Sequence, residues 1–261
     1  MLRLLRGVVF LMAVISLLDV PGWSQQAQKA PAAPVFTYVA EWEVPRARWA
    51  EFTDNFEKNT RPQFERFTRD GTLVSWGGYS TYVHQKGENT HGVWWASSSL
   101  AGIEKVRAQL IQAAPSPAMV EATMHRDYLL RSVRRSSRPA GPQSGVLSVS
   151  SFTVQPGKEE AWMQLGEKSY LPVIDELVAN GTISEFSIDV EQVHNNAPGL
   201  YFIAYVAPNM EAVDKVQAAF RALEQKWTPE QRRTVMQGMM ETTVPGAHRD
   251  YMATVSSYQT K

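Results

Sequence analysis

The chain has 261 residues and no cysteine. That absence excludes disulfides, thiol nucleophiles and cysteine-ligated metal centres, and leaves cohesion to packed cores alone. With five histidines and no thiol, a structural zinc site is not expected and no metal is assigned. Net charge is absent as well. The 26 Lys and Arg balance 26 Asp and Glu, which argues against non-specific nucleic-acid binding. The chain also lacks a phosphate-cradling glycine loop, a GxSxG elbow, an HExxH helix and a dinucleotide fingerprint.

The apolar run Val8–Leu18 is too short for a comfortable membrane span. It follows Arg3 and Arg6 and is broken by Pro21-Gly22, so residues 1–24 read as a signal peptide cleaved after Ser24. The expected product is exported and soluble, periplasmic or extracellular in a bacterial envelope, with no membrane association after cleavage. Residues 25–34, rich in Ala, Gln and Pro, read as a disordered lead-in.

What is present is repetition. His125-Arg126-Asp127-Tyr128 returns as His248-Arg249-Asp250-Tyr251. A shift of 110 positions lays Pro62 on Pro172, Gly71-Thr72 on Gly181-Thr182 and His84 on His194. A unit at 35–135 and a second at 145–261 are therefore expected, with 136–144 (Ser, Arg, Pro, Gly, Gln, Ala) as linker. Residues 25–140 carry 15 Lys and Arg against 11 Asp and Glu, and 141–261 carry 9 against 14. Opposite signs weakly favour docking of the halves.

Alternation of Phe36, Tyr38, Ala40, Trp42 and Val44 predicts a first strand. Trp49, Phe52, Phe56, Phe64 and Phe67 fall near helical spacing, and Pro62 should kink or split that helix. Each unit reads β-α-β-β-α-β, the ferredoxin-like order. Trp94 beside Trp95, and Leu200-Tyr201-Phe202-Ile203, make strands apolar on both faces, so both faces must be covered. The fold class is thus α+β: two ferredoxin-like repeats packed sheet to sheet around a barrel-like core, with helices outside.

In element order, in the Gly-Thr after each first helix and in its aromatic strands, the sequence resembles the dimeric α+β barrel superfamily, fused in tandem. The resemblance covers nearly all of residues 35–258. It implies a pocket between sheet and helices in each unit. That class includes antibiotic-biosynthesis-type monooxygenases, muconolactone-isomerase-like enzymes, haem-binding members and plain ligand-binding proteins. No catalytic signature matches residue by residue, so none is carried over.

Candidate site residues follow from side-chain chemistry. On a strand His125 and Asp127 share one face and Arg126 and Tyr128 the other, and the second copy places His248 and Asp250 alike. A functional reading makes each histidine a base held by its aspartate. The preferred structural reading makes Arg and Asp ion-pair partners and Tyr a core residue. His84 and His194 end the second strands of the units, where they cap and meet solvent. Haem ligation there is the one cofactor chemistry left open, and no cofactor is assigned. Gly77-Gly78 marks a bulge or a close approach, and with Trp42, Trp76, Tyr82, Trp94 and Trp95 it makes the first half the better candidate for a ligand pocket. The leading expectation is a monomer with pseudo-two-fold symmetry that binds a small apolar or aromatic molecule without evident catalytic machinery. The alternatives are a cofactor-independent monooxygenase or isomerase using His84 or His125 as base, and a structural envelope protein.

Overall fold

The computed structural model describes residues 34–196 and 198–261. The expected signal peptide and, but for Pro34, the lead-in lie outside the described residues. Strand β1 is Phe36–Glu43, with Tyr38, Ala40 and Trp42 toward the helices and Thr37, Val39 and Glu41 toward the opposite face. The first helix is split as Pro62 requires. Helix α1 (Trp49–Asn55) passes through a π-helical turn at Phe56–Thr60 into α2 (Arg61–Arg69), because proline has no N–H to give an α-helical bond. Then come β2 (Ser75–Thr81), β3 (His91–Ser97), α3 (Leu100–Ile111, capped by Ser99) and α4 (Pro117–Val120). Strands β4 (Met124–Ser137) and β5 (Ala140–Thr153) follow. The chain continues through α5 (Glu159–Ser169), α6 (Leu171–Ala179), β6 (Glu185–Glu191) and β7 (Leu200–Ala207). It ends with α7 (Met210–Lys226), α8 (Pro229–Thr242) and β8 (Arg249–Thr260). A Thr228–Gln231 capping box starts α8. No helix among the described residues is long and apolar enough to cross a membrane.

The eight strands close into one antiparallel barrel in the order β1-β3-β2-β8-β5-β7-β6-β4. The first four strands stand as β4-β1-β3-β2 and the last four as β8-β5-β7-β6, and the halves join where β2 meets β8 and β4 meets β6. The halves thus meet edge to edge and enclose a lumen, instead of stacking sheet on sheet. The stretch 136–144 is not a linker. β4 runs to Ser137 and β5 starts at Ala140, leaving Arg138-Pro139 between them. Pairing overrides composition here, since β4 reaches past its own half to pair with β6 from Leu130 to Ser137. Pro142 is accommodated where the β5–β8 register is irregular, between Ala140 and Gln143.

Both readings of Gly77-Gly78 hold, with the protein's own rings as the close neighbours. The β2–β8 register shifts at Gly78/Tyr79. A Cβ on Gly77 would lie 2.1 Å from the Trp94 ring, and one on Gly78 would lie 2.5 Å from Phe56. Gly77→Ala should therefore overpack the lumen and cost about 1–3 kcal/mol. Urea denaturation reads this as a lower midpoint, and an unchanged midpoint would show that Trp94 moves aside freely.

Candidate functional site

Residues related by the 110-position shift diverge where the helices cover the barrel. Phe56, Phe64, Trp76 and Trp95 of the first half become Gly166, Ile174, Phe186 and Tyr205. In the first half the rings fill the space. Phe64 packs on Trp76 at 5.8 Å and on Trp95 at 5.7 Å between ring centroids, and Tyr38 stacks on Trp95 at 4.5 Å. In the second half the smaller residues leave a cavity of about 1010 Å³ between the barrel and α5–α8. Gly166, Ile174, Phe186 and Tyr205 all line it, with Phe152, Trp162, Tyr170 and Phe220. Ser148, Ser150, Arg249 and Asp250 supply its polar edge. The expectation that the first half holds the pocket is corrected. Its Trp42, Trp76 and Trp95 are packing residues of its own core, Trp94 faces the lumen, and only Tyr82 reaches the rim of the second-half cavity.

The repeated tetrapeptide forms two equivalent dyads. His125 Nε2 lies 3.2 Å from Asp127 Oδ1, and His248 Nε2 lies 2.9 Å from Asp250 Oδ1. Each imidazole stacks on a ring of the neighbouring strand, His125 on Trp42 at 4.9 Å and His248 on Phe152 at 4.3 Å. The expected Arg–Asp pairs are not formed, because each aspartate is engaged by its own histidine and each arginine by a backbone carbonyl. Arg126 donates to Gly87 O and Arg249 to Gly246 O. Only the second dyad adjoins the large cavity. There Asp250 Oδ1 also accepts from Ser150 Oγ at 2.5 Å, and Phe152 and Asp250 are both lining residues.

The remaining histidines are elsewhere. His84 is exposed beyond β2 with its ring edge against Trp49, and His194 is exposed beyond β6. No histidine lines the large cavity among the described residues, so haem ligation through His84 or His194 has no imidazole to use there. His91, not singled out from sequence, is buried between Trp49 and Phe52 beside Thr90 Oγ1, and its pKa is pushed down to about 4 by burial.

Sequence reasoning also missed the lumen. Glu185, Ser187, Asp189 and Glu191 alternate along β6 and look like a solvated face, but all four are buried. Glu185 pairs with Arg135, which also donates to Ser75 Oγ at 2.6 Å. Asp189 accepts from Ser132 and Ser187, each at 2.6 Å. Glu41 accepts from Tyr79 at 2.8 Å and from Tyr251 at 3.4 Å. The alternation was the available signal; what it lacked was the knowledge that the inner face is closed.

No protein-family profile matches this chain, and no curated protein does. Among solved structures it is similar to a protein from Lactobacillus acidophilus proposed to be a monooxygenase, at 12% identity and TM-score 0.61, covering 87% of this chain and 96% of the other. A second such protein, from Fusobacterium nucleatum, matches at 8% identity and TM-score 0.58 over 88% and 96% of the two chains. An anthrone oxidase-like protein matches at 12% identity and TM-score 0.52 over 88% and 94%. At these identities the likeness is one of fold, and the fold is that of the dimeric α+β barrels.

Burial raises the Glu41 carboxyl above its ordinary value of 4.5, and the Tyr79 and Tyr251 hydroxyls and the Arg126 charge oppose this only in part. The folded chain thus holds that proton more tightly than the unfolded one. The stability this contributes is complete below the unfolded value and is lost as pH rises through the folded one. Glu41→Gln imitates the protonated form and should remove this loss. Its melting temperature should gain on the wild type between pH 5 and pH 8, at ~2–4 °C for each kcal/mol recovered. Parallel pH curves for the two proteins would refute the assignment.

Proposed function

We propose that the chain binds a small, largely apolar aromatic molecule in the cavity between the second half of the barrel and α5–α8. The replacement of Phe56 by Gly166 at equivalent positions carries this reading, since it opens in one half the space that rings fill in the other. A cavity of about 1010 Å³ accommodates a planar molecule of two or three fused rings. Aromatic walls suit ring stacking, and Ser148, Ser150 and Asp250 suit one polar edge. The same reading takes residues 35–135 and 145–261 as two fused ferredoxin-like units in one exported, monomeric chain.

The His248–Asp250 dyad favours a second reading, cofactor-free oxygenation. Asp250, which lines the cavity, would take a proton from an activated methylene of the bound ring system and pass it to His248 Nε2, 2.9 Å away. The resulting carbanion would react with dioxygen, so that the methylene carbon becomes a carbonyl carbon, one oxygen atom is retained and the other leaves as water. Asp250 would hold the imidazole and stabilise its charged form. Neighbours proposed to be monooxygenases, and one that is anthrone oxidase-like, support this reading.

Anthrone is the natural probe, with binding followed by quenching of tryptophan fluorescence. A Cβ on Gly166 meets only Leu171, at 4.0 Å, so Gly166→Leu should fill the cavity while strengthening α5 by roughly 0.5–1 kcal/mol. Saturable binding by the wild type and a loss of at least tenfold, ~1.4 kcal/mol, in Gly166→Leu are expected. Equal binding by both would sink the proposal. In an oxygen electrode, His248→Asn should lower anthrone-dependent uptake by ~10²-fold or more with binding retained. Binding by the wild type without uptake would eliminate the oxygenase reading and keep the first.

A further inference from the structure

We propose that the barrel lumen is a second binding site, which meets the cavity beneath α5–α8 only at its mouth, through Glu88, Arg249 and Asp250, and that it takes a small organic ammonium ion with an apolar body.

The lumen holds a cavity of about 320 Å³, at the lower end of the range for ligand pockets. One end is closed by polar residues. β2 begins at Ser75, β6 begins at Glu185 and β8 ends at Thr260, and Ser75 pairs with Thr260 across the β2–β8 seam. Arg135 joins Ser75 to Glu185 at that floor. At the other end Glu88, Arg126 and Asp250 surround the approach from the β2–β3 connection. Between floor and mouth the walls are apolar, from Leu147, Val149, Phe202 and Trp94.

Charge and hydrogen bonding select the ligand. Five carboxyl groups line this cavity (Glu41, Glu88, Glu185, Asp189 and Asp250) against three guanidinium groups (Arg126, Arg135 and Arg249), and burial disfavours the charged form of Glu41, Glu185 and Asp189, which an incoming cation would offset. A second observation is independent of that excess. Glu185 Oε2 and Thr37 Oγ1 are buried and have no hydrogen-bond partner, and both residues line the cavity, where each is less than a tenth exposed. A buried acceptor without a donor is costly, and a native site normally satisfies it. An ammonium group carries three donors, and its charge is opposite to that of the Glu185 carboxylate whose unpartnered oxygen it would meet. An anion would meet Glu185 and Asp189, and the floor's Arg135 is already engaged. A bare metal ion is disfavoured, because no group of three or more His, Asp or Glu is arranged to hold one among the described residues. The apolar walls call for an organic body behind the ammonium.

The test is calorimetric titration of the full chain with phenethylamine, using phenethyl alcohol as a neutral analogue of the same shape. Saturable binding of the amine is expected, at least about tenfold tighter than the alcohol. Glu185→Gln should weaken it by at least about tenfold, through loss of charge. Ala204→Leu fills the lumen from β7 and leaves the Glu185–Arg135 pair intact, so it decides the matter if Glu185→Gln does not fold. It too should weaken the amine by about tenfold or more. Gly166→Leu should leave the amine unaffected. The proposal is overturned if amine and alcohol bind alike, or if Ala204→Leu binds as the wild type does. Loss of binding in Gly166→Leu would overturn it by placing the amine in the outer cavity. Absence of saturable binding would overturn it by leaving the lumen to water.

Discussion

Everything in this structure depends on the two seams that close the barrel. A four-stranded sheet in the order β4-β1-β3-β2 has unpaired backbone along β4 and β2, and β8-β5-β7-β6 has it along β8 and β6. Exposed edges are templates for association, and closure alone removes them. Here each edge satisfies an edge of the other half. β2 takes β8 over Ser75–Thr81, and β4 takes β6 over Leu130–Ser137. The 14-residue lengths of β4 and β5, against seven or eight in β1, β2, β3, β6 and β7, are what carry the backbone from one half across to the other.

Closure creates an interior, and the interior dictates unusual side chains. Carboxyl groups taken out of water need partners, and the lumen provides them from many strands: Tyr79 and Tyr251 for Glu41, Ser132 and Ser187 for Asp189, Arg135 and Ser75 for Glu185. Such pairs add little net stability, because desolvation offsets attraction. They do fix register. Sliding one strand by a single residue would turn a carboxyl toward the helices and an apolar side chain into the lumen. Glu41 and Tyr251 come from opposite halves of the chain, so their contact also ties the two halves into one arrangement.

Much of this was legible in the residues. Period-2 alternation in 36–44 and helical spacing in 49–67 gave element type. Pro62 marked the break that became a π-helical turn. The stretch 136–144 misled because Ser, Gly and Pro speak for local flexibility, while its strand character comes from pairing with β6 and β8, which is tertiary. The pocket misled for a related reason. Aromatic density was read as pocket lining, whereas rings in the first half pack on one another and leave no room. The informative difference was a lost ring, Phe56 against Gly166, and its meaning needed the knowledge that both positions face the same layer.

That lost ring has an energetic corollary. The space beneath α5–α8 is open to solvent along part of its edge, so water fills it wherever a ligand does not. Water among Phe152, Trp162, Ile174 and Phe220 finds few partners away from the Ser148, Ser150 and Asp250 edge. Poorly held water is favourably displaced by an apolar molecule. The first half shows the same layer stabilised by its own rings, and the second half withholds those rings. What Phe56, Phe64, Trp76 and Trp95 do for one half, an aromatic guest is suited to do for the other.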